Sequence, residues 1–140
     1  MKTYDELERQ FIGMVEELDS YDRASNLLKD ESFDPKKTRL LGKKIHNLAV
    51  KMIECDIDRF IELLDYDNLS VSEAAAEYVY PVFPKKSLSV MRRYMDSLDS
   101  DADKIKIKSK IEGLERGDDF FAALYKKLYK TDDLKGLCRE

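Results

Sequence analysis

The stretch whose reading decides the fold is IDRFIELLDYDNLSVSEAAAEYV, Ile57 to Val79. Ile57, Phe60, Ile61 and Leu64 recur at helical spacing, Asp65 to Leu69 form a polar turn, and Val71, Ala74, Ala75, Tyr78 and Val79 mark a second apolar stripe. Two helices folded back on each other satisfy this pattern, with Asp56 capping the first. Ser70 and Glu73 stand at capping-box spacing for the second. Alanines on the second helix allow a close approach of helix axes, because interaxial distance follows side-chain size. Pro81 lacks a backbone N–H and disfavours helix at Tyr80, which ends the hairpin.

Helical signals continue on both sides. Thr3 and Glu6 form a capping box ahead of Leu7, Phe11, Met14, Val15 and Leu18, which predicts a first helix over about residues 4 to 18. Ser20 opens a further segment with Tyr21, Ala24, Leu27 and Leu28. Asp34 followed by Pro35 predicts the next start. From there Leu41, Ile45, Leu48, Ala49, Met52 and Ile53 define an apolar face that runs to about Glu54. Pro84 starts a helix to about Ser97, and Ser100 or Asp101 caps its successor. KIKIKSKI, Lys104 to Ile111, alternates with the period of a strand. A lone strand has no partner in this chain, and Ile107, Ile111 and Leu114 share a helical stripe, so we read a helix ending at Gly117. Asp118 then caps a last helix rich in Phe120, Phe121, Tyr125 and Tyr129, and residues 131–140 read as a frayed polar tail.

Bulk properties agree. The 140 residues are 43% hydrophobic and 39% charged with five glycines and three prolines, which suits one domain of amphipathic helices. A net charge of −4 lacks the basic excess of nucleic-acid binders. Cys55 and Cys138 suggest no disulfide framework. With no apolar run of membrane-span length and no signal-peptide core, the expected compartment is cytoplasmic.

The segment FIELLDYDNLSVSEAAAEYVYPVFP, Phe60 to Pro84, resembles a HEAT repeat. Leu63, Leu64, Asp67, Asn68, Val71, Ala74, Ala75 and Ala76 carry the likeness; Ser72 departs from it, standing where many such repeats hold an arginine. Residues from about Leu41 to Tyr94 are similar to a family of small bacterial HEAT-like domains of unknown function. The resemblance implies an all-α fold: a short right-handed superhelix of about six or seven antiparallel helices. Some small proteins of this general type lie beside bacterial toxin genes and serve as immunity proteins.

Residues for catalysis are sparse. His46 is the sole histidine, so any histidine-based triad or metal site rests on it. Glu54, Cys55, Asp56 and Asp58 do not share one helical face, and Asp65 to Asn68 lack the glycine and closing glutamate of a calcium loop. We therefore expect no catalytic, cofactor or metal residues. The leading expectation is a non-enzymatic module that binds another protein, such as a basic toxin, through Asp96, Asp99, Asp101 and Asp103 with Arg92 and Arg93 beside them. The alternative is a nucleic-acid-associated protein using Lys43, Lys44, Lys51, Arg92 and Arg93.

Overall fold

A computed structural model describes residues 2–28 and 35–140, with side chains described for 2–21 and from 35 onward. Described residues form α1 (Tyr4–Leu28), α2 (Pro35–Ile61), α3 (Leu69–Val79), α4 (Pro84–Ser97), α5 (Asp101–Arg116) and α6 (Asp119–Tyr129). Two short 3-10 turns, Glu62–Asp65 and Lys135–Leu137, complete them. The protein is all-α. The chain divides into two compact units, 1–62 and 63–140, where the sequence alone reads as a single domain.

In the first unit, Thr3 Oγ1 accepts the Glu6 N–H at 3.3 Å, the first half of the expected capping box. The helix does not stop near residue 18 but continues through Ser20 to Leu28. The side chains of Ala24, Leu27 and Leu28, and the Asp34 cap, lie outside the described residues. Helix α2 opens on Pro35, whose missing N–H costs nothing in a first turn. It breaks at Asp56 (φ −162°, ψ 89°), whose Oδ1 accepts the Arg59 N–H at 3.2 Å. Asp56 thus restarts the helix as the cap that the sequence called for.

Helices α1 and α2 are antiparallel: Phe11 meets Phe60 edge-on at 5.7 Å, while Lys37 sits 4.8 Å over the Tyr21 ring. Leu7, Phe11 and Val15 of α1 and Ile45, Leu48, Met52 and Phe60 of α2 are all buried. Each such side chain contributes about 1.5–3 kcal/mol on full burial. Arg59 stacks 4.1 Å over Tyr4 and pairs with Asp5 at 2.6 Å. That bond holds the exposed Asp5 carboxyl below its ordinary range.

The second unit is arranged around α3, where seven of eleven residues are buried, among them Val71, Ala75, Ala76 and Val79. Its cap corrects one expectation. Asn68 Oδ1, not Ser70, accepts the first free N–H, that of Ser70, at 2.9 Å, and also receives the Ser70 hydroxyl at 2.6 Å. Asparagine is as good a cap as serine, and the helix starts two residues earlier than expected. Ser70 and Glu73 are consequently buried in the helix body.

Helix α4 packs on α3 and α5 packs on α4. The alternating KIKIKSKI segment is helical throughout, with Ile107 and Ile111 buried and Ile105 62% exposed. Ser100 Oγ accepts the Asp103 N–H at 3.4 Å to start α5. Gly117 (φ +69°) ends it, its N–H reaching Leu114 O at 3.1 Å while the Asp118 N–H reaches Gly113 O at 3.1 Å. This pair of bonds is a Schellman motif, and the left-handed residue at its centre favours glycine. Gly113 has a different cause: a Cβ there would stand 2.9 Å from the Phe121 ring of α6.

Asp118 occupies the cap position of α6, but its carboxylate makes no cap bond and instead takes two from Arg116, at 3.2 and 3.0 Å. Beyond Thr131, where the sequence predicts a frayed tail, the chain makes hydrogen bonds to Val82 and to the start of α4. The Arg139 N–H reaches Val82 O at 2.8 Å, and the Glu140 carboxylate accepts the Lys85 and Lys86 N–H groups at 2.6 and 3.1 Å. Glu140 thereby supplies the N-terminal cap that Phe83 cannot give α4.

Candidate functional site

The corner between α4 and α5 gathers the acidic residues named from sequence. Asp96 lies in the last turn of α4, Asp99 in the connection, and Asp101 and Asp103 in the first turn of α5. The Leu98 N–H bond to Met95 O and the Ser100 cap set this corner. Leu98 is buried beneath it, so the flanking carboxylates turn outward. Asp96, Asp99 and Asp101 are exposed and Asp103 is half-buried. Among the described residues, no ion pair engages Asp96, Asp99 or Asp101.

The helix dipole separates these carboxylates into two kinds. Asp101 and Asp103 face the positive end of α5, where negative charge is stabilised. Asp96 sits at the negative end of α4, with no basic residue in that last turn to offset it. Asp96 is therefore the one carboxylate of the corner that its own helix end does not favour.

Arg92 and Arg93 are exposed on α4, one to two turns before this corner. Arg92 pairs with Glu115 of α5 at 3.5 Å. Lys43, Lys44 and Lys51 are exposed on α2 in the first unit, whereas Arg92 and Arg93 belong to the second.

The remaining candidates resolve into local structure. His46 is half-buried on α2. Asp65 pairs with Lys86 at 2.8 Å, and Asn68 is a cap, so that segment is a turn. No three His, Cys, Asp or Glu side chains among the described residues converge as a metal would require.

The aromatic residues of α6 separate into three environments. Phe120 is 75% exposed, Phe121 and Tyr129 are half-buried, and Tyr125 is buried. The Tyr125 hydroxyl donates to Glu77 O, and the Tyr129 hydroxyl donates to Tyr78 O at 2.6 Å. Burial raises both phenols, and the Glu77 carboxylate raises Tyr125 further. The Lys110 ammonium, 3.0 Å from Glu77 Oε1, is raised chiefly by that carboxylate and also by Glu73.

One feature of the second unit escaped the sequence reading. Tyr80, Leu114, Phe121 and Leu134 line a cavity of about 300 Å3 that also touches Lys135 and Cys138. Its walls come from the end of α3, from α5, from α6 and from the tail. Apolar residues in 114–125 carry a signal for it, and Leu134, Lys135 and Cys138 of the tail add a wall that they do not announce.

No helix among the described residues is long and apolar enough to cross a membrane. Comparison of the chain with known protein families, with curated proteins and with solved structures found no match in any of the three.

Proposed function

We propose that the chain is a non-enzymatic protein-binding module of the short HEAT-like kind, its helices forming a right-handed superhelix, and that its α4–α5 corner receives a basic partner. The observation carrying this reading is the set of outward carboxylates at Asp96, Asp99 and Asp101, free of ion pairs among the described residues and mounted between two capped helices. Preformed charge on a rigid corner steers a partner of opposite sign and raises its association rate. In its most concrete form the module is a bacterial immunity-type protein and the partner a basic toxin. The acidic charge balance of the chain, −4 over 140 residues, supports that version.

The test is capture of a stoichiometric partner from source cells, followed by association kinetics with the purified pair. Replacing Asp96, Asp99 and Asp101 together by asparagine is expected to slow association about tenfold or more at low salt, with the difference shrinking as salt rises. Equal rates for the two proteins at low salt would remove the corner from the reading. A toxin encoded beside this chain that keeps full activity in its presence would remove the immunity version.

A further inference from the structure

The cavity of the second unit combines properties that a simple packing fault lacks. Tyr80, Leu114, Phe121 and Leu134 present apolar surface to it, and Tyr125 offers only its ring, because its hydroxyl is committed to Glu77 O. Lys135 is the sole charged residue along its lining, is exposed, and makes no ion pair among the described residues. An apolar concavity beside one unengaged cation selects a ligand with two chemistries. An inorganic anion gains nothing from the walls, and a neutral hydrocarbon gains nothing from the ammonium. At about 30 Å3 for each water-sized group, the space holds on the order of ten heavy atoms, the size of an eight-carbon acid.

We infer that this cavity is a binding site for a medium-chain carboxylate, with the alkyl chain among Tyr80, Leu114, Phe121 and Leu134 and the carboxylate paired with Lys135. The site is separate from the α4–α5 corner and does not depend on the function assigned there. Its tail wall is held by the Arg139 N–H bond to Val82 O and by the Glu140 carboxylate on α4. A ligand that bridges Leu134 and Lys135 to α5 and α6 therefore also fastens the tail, as any ligand specific to the docked state must.

Cys138 lines the cavity and is exposed, while Cys55 lies on α2, outside it. The pair makes a built-in reporter. The full reduced chain is treated with a maleimide and modification at each cysteine is followed by mass spectrometry, with millimolar octanoate, octanol or octyltrimethylammonium present. Octanoate at about four times its Kd is expected to slow Cys138 modification about fivefold and leave Cys55 unchanged. Octyltrimethylammonium is expected to protect far less. Lys135→Glu, an exposed substitution that leaves the walls intact, is expected to weaken octanoate by about fivefold and not octanol. Absence of protection by octanoate would overturn the site. So would equal protection of Cys55, equal protection by the cationic amphiphile, or octanoate binding that survives Lys135→Glu unchanged.

Discussion

Helix α3 has two of its last carbonyls satisfied by side chains 48 and 51 positions away, whereas α5 carries its stop signals within its own sequence. The last carbonyls of a helix have no partner inside it. In α3 those of Glu77 and Tyr78 accept the hydroxyls of Tyr125 and Tyr129, and that of Val79 accepts the Val82 and Phe83 N–H groups, each at 2.9 Å. In α5 the backbone N–H groups of Gly117 and Asp118 close the end, and Ser100 closes the beginning. The faces differ in the same sense. Seven of eleven α3 residues are buried, against four of sixteen in α5. A central helix is held by what surrounds it and a peripheral one by its ends.

Base is the strongest way to break this contrast. Tyr78, Tyr125 and Tyr129 all titrate well above the ordinary phenol value of 10.0, with burial as the largest cause. Their neutral forms are favoured by the fold. That stability is fully present below pH 10 and is lost as pH rises above it, because the unfolded chain then releases protons that the folded chain retains. Each phenol removes about 1.4 kcal/mol per pH unit in that range, so three together reach a typical stability of about 5–15 kcal/mol within roughly two to three units. We expect α3 and α6 to lose helix cooperatively above pH 10, with buried phenolate absorbance appearing at the same pH. Tyr125→Phe should make the decline shallower. Ionisation of all eight tyrosines near pH 10 with helix retained would sink the account.

The next largest effect compares the two faces directly. Ala75 of α3 is 0% exposed, so Ala75→Leu forces bulk into a filled site and should cost about 3 kcal/mol in urea unfolding. Ile105 of α5 is 62% exposed, and Ile105→Ala should change stability by less than about 0.5 kcal/mol. Comparable losses at the two positions would mean that α5 is also held by its surroundings.

The same contrast explains how much was legible in the sequence. Signals local to a helix were readable: Thr3, Asp56, Pro84, Ser100 and Gly117 act where their spacing placed them. KIKIKSKI misleads by period, but the buried Ile107, Ile111 and Leu114 stripe and the Ser100 and Gly117 ends outweigh the alternation. Partnerships between distant residues were not readable. Nothing in the polar end of the chain announces that Glu140 caps α4, since a glutamate there looks the same whether docked or solvated. Asn68 against Ser70 was a choice between two good caps two positions apart, decided by which N–H the turn presents. For the acidic corner, sequence indicated the density of carboxylates. The expected bounds near Ser97 and Ser100 already put Asp96 at a helix end and Asp101 and Asp103 at a helix start; the fold adds that Asp96, Asp99 and Asp101 are exposed and make no ion pair among the described residues.

The smallest effects sharpen the comparison at the termini themselves. Gly117 (φ +69°) and Lys130 (φ +54°) are the left-handed residues that end α5 and α6. A side chain in this region crowds its own backbone by about 1–2 kcal/mol, and glycine avoids that cost. Gly117→Ala should therefore lower stability by about 1 kcal/mol although no atom lies within 4 Å of the added Cβ. Lys130→Gly runs the other way. It relieves the strained position while keeping the backbone bond to Lys126 O, but it also frees the unfolded chain, so the expected gain is only about 0.5 kcal/mol. Thermal unfolding of the two variants beside the parent chain separates the terms. Opposite signs are required if backbone conformation governs both ends. A loss at Lys130→Gly would instead assign that lysine side chain a stabilising contact with the last turn of α6, and α6 would then join α3 among the helices completed by side chains.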